Sequence, residues 1–413
     1  MGGGRWAVGG EAGTTLPGNP TRGEPVEPVK VPRQQQRDTG VSDENSLLAR
    51  MRGAGPVLLD GATGTELERR GLPSALPLWS SHALLDAPEA IAQIHAEYVD
   101  AGAEIITANT FRTQSRVLAK LAAAEGRARE LTQRAVSLAR EAADRRPGEV
   151  WVAGSAPPLE DCYRPDWAPD AKSLDIEHRE HAVQLAEAGV DLILVETMNN
   201  IAESVSAARA AALTRLPFFI SFICGSDGRL LSGERLGDAL AAVRATGPAV
   251  VLVNCLPPSA VAPCLAPLAA SGFAFGIYAN LGAPYANSPA RRREDCDPED
   301  FAERARGWVA AGARVLGGCC GTTPEHIRAL RAAFPLNPRC PSRGARPPRP
   351  RARWRSIRAR ISASPASAVA DWSRSTRERP PSGVGAAVNS KAWPAGAAAV
   401  GSPRAARRIV SPS

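Results

Sequence analysis

The chain has 413 residues, 44% of them hydrophobic and 5% aromatic, with a formal net charge of +8. That length and apolar content suit a sizeable folded core and exclude a small disulfide scaffold. The charge does not mark a basic, nucleic-acid-binding body: residues 339–408 hold 16 Lys+Arg against 2 Asp+Glu, a net of +14, so the remainder is net −6.

Residues 1–50 form the first expected segment. They are rich in Gly, Pro, Gln and mixed charge without apolar periodicity, as expected of a disordered extension. Met51 stands six residues before the first apolar run, and a natural start at Met51 is one hypothesis for where the ordered protein begins. Eight short apolar runs then follow, at 57–60, 104–108, 150–154, 191–196, 217–223, 249–254, 274–280 and 313–318. Several are nearly continuous Val, Ile and Leu, the pattern of strands covered on both faces in a parallel sheet. Helical patterns lie between them, for instance at 88–101, 173–189, 201–213, 259–271 and 297–312. Gly102, Gly189, Gly272 and Gly312 stand where helices commonly stop. Eight strand–helix units predict an α/β fold, a (β/α)8 TIM barrel over 51–337. A doubly wound open sheet is the alternative, but no G-x-G-x-x-G follows a strand, which weighs against its dinucleotide-binding form.

From 338 to 413 the chain is rich in Pro, Arg, Ser and Ala, the composition of a basic disordered tail. It could bind nucleic acid through phosphate charge alone. Trp354 and Trp372 form no basic-aromatic module, so a solvated extension without function is favoured and a nucleic-acid partner is not expected. No apolar run reaches the ~18 residues needed to span a membrane. Eight cysteines are spread too thinly for a disulfide framework, and no apolar leader is readable, so a reducing cytoplasm is the expected location.

Chemistry in a TIM barrel sits at the C-terminal strand ends. Here those ends are unusually polar: Asp60 after strand one, Asn109 and Thr110 after strand two, Ser155, Glu196 and Thr197, Asn254 and Cys255, Asn280, then Cys319 and Cys320. Two adjacent cysteines rarely bond to each other. Locally the pair suits either a soft metal ion or two buried structural thiols. With Cys255 on a nearby strand, three thiolates and an open fourth position match a catalytic zinc. Cys224 is a weaker candidate, better read as a packing thiol. Cys162, Cys264, Cys296 and Cys340 receive no role, and His95, His178, His181 and His326 are not expected to be ligands. A thiol substrate bound to such a metal is deprotonated at neutral pH. It can then attack an activated methyl group in one displacement.

Several segments together resemble the homocysteine S-methyltransferase family. They are Leu58-Leu59-Asp60-Gly61-Ala62-Thr63-Gly64-Thr65-Glu66-Leu67, Leu78-Trp79-Ser80, Ala108-Asn109-Thr110-Phe111, Val195-Glu196-Thr197, Val253-Asn254-Cys255 and Gly317-Gly318-Cys319-Cys320-Gly321. The resemblance implies a zinc-dependent TIM barrel that methylates homocysteine, or a close thiol or selenol analogue. It implies Zn2+ ligation by Cys255, Cys319 and Cys320, and Asp60 and Glu196 as the acids that hold the substrate ammonium. Backbone N–H groups at Gly61 and Ala62 are expected to take the substrate carboxylate. Thr63 and Glu66 read as a helix capping box. Asn254 and Asn280 are expected to orient rim loops.

Donors in this family differ. Leu76-Pro77-Leu78-Trp79-Ser80 is similar to members using S-methylmethionine or S-adenosylmethionine, whereas Gly321-Thr322-Thr323-Pro324-Glu325-His326 is closer to the homocysteine module of cobalamin-dependent methionine synthase. No cobalamin or folate domain follows, so a sulfonium donor is favoured, with Trp79 offering it an aromatic face. Betaine- or cobalamin-linked transfer, or a non-catalytic zinc or redox barrel protein, remain the alternatives.

Overall fold

The computed structural model describes residues 47–121, 126–146, 149–281 and 296–336. The expected basic tail, Cys340, and most of the expected N-terminal extension lie outside the described residues.

The described chain opens with α1 (Leu47–Arg52), then β1 (Val57–Leu58), α2 (Gly64–Arg69), α3 (Ala83–Asp86) and α4 (Pro88–Ala101). Next come β2 (Ile105–Ala108), α5 (Ser115–Leu118), α6 (Ala128–Ala143), β3 (Trp151–Ala156), α7 (Ala171–Ala188), β4 (Leu192–Met198) and α8 (Ile201–Leu213). The second half continues with β5 (Phe218–Phe222), α9 (Leu236–Val243), β6 (Val250–Asn254), α10 (Ala262–Ala270), β7 (Phe275–Ala279), α11 (Pro298–Ala310), β8 (Val315–Gly318) and α12 (Pro324–Ala333). All strand pairs are parallel, in the order β1-β8-β7-β6-β5-β4-β3-β2. A parallel bridge between Leu59 and Ile105 joins the two ends, supported by Asp60 N–H to Ile105 O at 2.9 Å. The result is the expected (β/α)8 TIM barrel.

Alternation along the strands explains the two cores. Leu58, Ile106, Val152, Ile193, Ile220, Val251 and Ile277 face the helices and join one apolar cluster. Their neighbours Val57, Ile105, Trp151, Leu192, Phe219 and Val250 point inward and form a second cluster inside the barrel. Two residues further along these inward rows come polar residues: Thr107 after Ile105, Ser155 after Ala153, Glu196 after Leu194, Ser221 after Phe219, and Asn254 after Leu252. The period of two therefore delivers an apolar plug below and a polar layer above.

Helix α1 closes the bottom of the barrel. Leu47 and Met51 are buried in the inner cluster. Arg50 reaches Glu104 through Nε to Oε1 at 2.6 Å and Nη2 to Oε2 at 3.0 Å, and Arg331 meets the same carboxylate at 2.8 Å. The folded region thus begins before Met51. A chain starting at Met51 would lose Leu47 and Arg50 together. We expect it to be destabilised by about 3 kcal/mol, from one buried leucine and one partner of a buried ion pair. A chain shortened to Met51 that melts at the full-length temperature would contradict this.

Helix starts differ from expectation in one place. Thr63 has helical backbone angles (φ −86°, ψ −46°) and its side chain makes no capping hydrogen bond. Glu66 instead pairs with Arg69 and approaches Arg70 at 3.8 Å. The capping box belongs to α12, where Thr323 caps the helix and His326 Nδ1 accepts the Thr323 N–H at 3.2 Å.

Candidate metal centre and substrate pocket

The three expected cysteines converge. Cys255 follows β6 directly, and Cys319 and Cys320 follow β8; their sulfurs all lie within 4.8 Å of one another. The backbone is bent to put them there. Cys255 has φ 57°, in the left-handed region, and its carbonyl accepts from Asn280 Nδ2 at 3.2 Å. The preceding Asn254 side chain accepts from Thr197 N–H at 3.2 Å and donates to Thr197 Oγ1 at 2.9 Å. Thr197 also stands at positive φ, 61°, a strained conformation for a β-branched residue. Asn254 and Asn280 therefore hold rim backbone in place, as expected. On the other side, Cys319 N–H bonds to Ala279 O at 2.8 Å and its carbonyl accepts from Thr322 Oγ1 at 2.7 Å.

Tyr163 was not singled out in the sequence. It comes from the loop after β3, and its hydroxyl lies 3.0 Å from Cys255 Sγ. The Cys255 thiol is held well below the ordinary cysteine range by hydrogen bonds from Cys319 and Cys320 and then from Tyr163, while Cys319 and Cys320 are pushed up. The hydrogen bonds among the three sulfurs thus favour the thiolate at Cys255. Three thiol donors in a buried cluster suit a soft metal such as zinc and not a hard one. Cys224 lies elsewhere, beside Cys264 in the helix-facing core, so it is a packing thiol. Replacing Tyr163 by Phe should weaken metal affinity about 10-fold, as for other residues that hold a ligand from behind. Competition with a chromophoric chelator measures this, and an unchanged affinity would remove the tyrosine from the site.

Both expected acids face the same cavity. Asp60 accepts from Thr107 N–H at 2.7 Å and from Thr107 Oγ1 at 2.9 Å. Glu196 accepts from Ser155 Oγ and from Tyr278 Oη, the latter at 3.2 Å. Each carboxyl is pushed up to about 7 by burial, against the opposing effect of these donors. Two buried acids at the edge of ionisation, facing one cavity, suit a cationic ligand.

The cavity around them opens to solvent and holds a free volume of about 100 Å³. Gly61, Ala62, Trp79, Phe111 and Arg112 also line it. Trp79 meets Phe111 edge to face at 5.5 Å between centroids and packs with Cys255 and Cys320. The Ala62 N–H is already engaged, donating to Thr322 Oγ1 at 3.3 Å. A Cβ on Gly61 would press on the Tyr98 hydroxyl at 2.7 Å, so glycine is required there for packing.

The homocysteine S-methyltransferase family model matches residues 57–334. The chain belongs to the homocysteine S-methyltransferase family. It is therefore an enzyme of methyl transfer. A homocysteine S-methyltransferase from Escherichia coli (strain K12) is 32% identical over 310 residues, covering 71% of this chain and 99% of that protein. A selenocysteine Se-methyltransferase from Brassica oleracea var. italica is 28% identical over 309 residues, covering 67% of this chain and 88% of that protein. The crystal structure of the homocysteine methyltransferase MmuM from Escherichia coli in its metallated form superposes with a TM-score of 0.60 at 30% identity, covering 69% and 98% of the two chains. Among the described residues no helix is long and apolar enough to cross a membrane.

Proposed function

We propose that this methyltransferase carries a methyl group from a sulfonium donor, S-methylmethionine or S-adenosylmethionine, to the sulfur of L-homocysteine, with Zn2+ held by Cys255, Cys319 and Cys320. The observation that carries this reading is the meeting of three thiols within 4.8 Å and two buried acids in one cavity. A zinc ion held by Cys255, Cys319 and Cys320 would supply a Lewis acid that lowers the pKa of a substrate thiol.

The chain's own groups do the rest. Asp60 and Glu196, once ionised, take the substrate ammonium, and Thr107, Ser155 and Tyr278 fix their oxygens in place. This anchors the amino acid so that its sulfur points toward the cysteines. The substrate sulfur attacks the methyl carbon of the donor. One S–C bond forms, the bond from methyl to onium breaks, and its electron pair stays on the donor sulfur. Trp79 offers the sulfonium an aromatic face.

The test is a donor panel with L-homocysteine: S-methylmethionine, S-adenosylmethionine, betaine and methylcobalamin, with selenocysteine as a competing acceptor. The reading expects methionine from a sulfonium donor and about one zinc per chain. A zinc-loaded protein that turns over none of the four donors would overturn it.

A further inference from the structure

One charged residue in the cavity has no role in the reaction just described. Arg112 lies four residues beyond the end of β2 and lines the cavity. It is only 6% exposed. Its Nη1 donates to the Glu160 carbonyl oxygen at 2.9 Å, and its guanidinium lies 5.2 Å from the Phe111 ring centroid. Its Nε is buried without any hydrogen-bond partner. Among the described residues no carboxylate forms an ion pair with it. Asp60 and Glu196 share the cavity, and their hydrogen bonds come from Thr107, Ser155 and Tyr278.

A buried guanidinium with neither a counter-charge nor a filled donor set is costly, and a protein retains it where a ligand supplies the anion. The planar fork of arginine matches a carboxylate. We propose that Arg112 binds the carboxylate of the methyl donor, and so restricts the enzyme to onium donors that also carry an acid group. The proposal rests on the reading of the site as a sulfonium-dependent methyltransferase.

Height in the barrel separates this carboxylate from that of the acceptor. Asp60 and Glu196 stand at or next to the strand ends, level with the inner polar layer. Phe111, Arg112, Trp79 and Tyr163 come from the loops above. An acceptor held below by its ammonium leaves the loop level to the donor. Trp79 and Phe111 there face its sulfonium, and Arg112 faces its carboxylate. In this pose the donor's carboxylate sits against the guanidinium and its onium end points to the methyl acceptor. A methyl group on a corrinoid offers no such acid, which sets this cavity apart from cobalamin-linked transfer.

The test compares S-methylmethionine with its carboxamide, which keeps the sulfonium and loses the negative charge. With wild-type protein, the acid should have a KM about 30-fold below that of the amide, the range for one charge-assisted hydrogen-bonded pair. Arg112→Gln should raise the donor KM by about the same factor, erase the preference for the acid, and leave the homocysteine KM within about twofold. Arg112→Lys should restore part of the preference. Equal use of acid and amide by the wild type would overturn the proposal without any variant, as would a shift confined to the homocysteine KM in Arg112→Gln. If the wild type makes no methionine at all, the functional reading fails instead. Calorimetric binding of S-methylmethionine and its amide then still decides the role of Arg112: preference for the acid lost in Arg112→Gln supports it, and equal binding by the wild type overturns it.

Discussion

Cys320→Ala should reduce zinc from about one per chain toward none and lower kcat/KM for methionine formation by about three orders of magnitude. The metal's contribution to a reaction of this type is several kcal/mol, which converts to a factor of that size. The cause is local. Cys320 is buried, and its sulfur is one of only three donors within 4.8 Å among the described residues. Two thiolates hold a soft ion far less firmly than three, and a buried alanine offers no replacement donor. Cys224→Ala is the matching control. Cys224 lies two residues beyond β5 and packs against Cys264 in the helix-facing core, so its loss should cost some stability and leave zinc content and turnover unchanged. Metal analysis and methionine assay on both variants separate a ligand from a merely buried thiol. Zinc retained at one per chain in Cys320→Ala would sink the three-sulfur site.

Much of this arrangement could be read before the fold was seen, and the physical reason is the barrel itself. Strands buried on both faces must be apolar, so a carboxylate or thiol at the end of such a run stands out. Asp60, Glu196, Cys255, Cys319 and Cys320 were visible for that reason. Strand one is an instructive case: its regular part is only Val57–Leu58, yet Asp60 was placed correctly, because Leu59 still bridges to Ile105 and carries the inward row upward.

What was not legible depends on contacts between distant parts of the chain. Tyr163 meets Cys255 across 92 residues, and Tyr278 meets Glu196 across 82. Nothing in the local sequence around either tyrosine announces a partner, although an aromatic in a loop at the strand-end face was a signal available for Tyr163. Arg112 was missed because a lone arginine in a loop usually faces solvent, and only its burial makes it notable. Helix α1 was passed over because its neighbours are Gly- and Pro-rich; six residues hold a helix there through Leu47 and the Arg50–Glu104 pair, not through propensity. The Thr63–Glu66 misreading has a similar origin. The spacing was that of a capping box, but Thr63 is already helical and two arginines compete for Glu66.

Glu196→Gln and Asp60→Asn should each cost about 30-fold in kcat/KM for homocysteine, the loss of one charge-assisted hydrogen bond to its ammonium, and should do so with a pH signature that a structural role would not give. Both carboxyls are pushed up to about 7 by burial, from ordinary values of 3.8 and 4.5. Between pH ~4 and ~7 the folded protein therefore holds protons that the unfolded chain has released. Stability must fall as pH rises through this window and level off above it. Each acid accounts for up to about 4 kcal/mol of that fall, at 1.36 kcal/mol per pKa unit. The ammonium of the substrate reverses the balance, since it needs the ionised carboxylates. Homocysteine should consequently bind more tightly as pH rises from 6 toward 7.5 and release protons as it binds, which calorimetry in buffers of different ionisation enthalpy measures directly. In Glu196→Gln the acid limb of the profile should flatten and the proton release should shrink, while the melting temperature at pH 8 rises above that of the wild type. An acid kept for an ion pair within the fold would behave in the opposite way, with a lower melting temperature and an unchanged pH profile. Destabilisation at pH 8 in both variants would therefore count against Asp60 and Glu196 as the ammonium site, whatever happened to turnover.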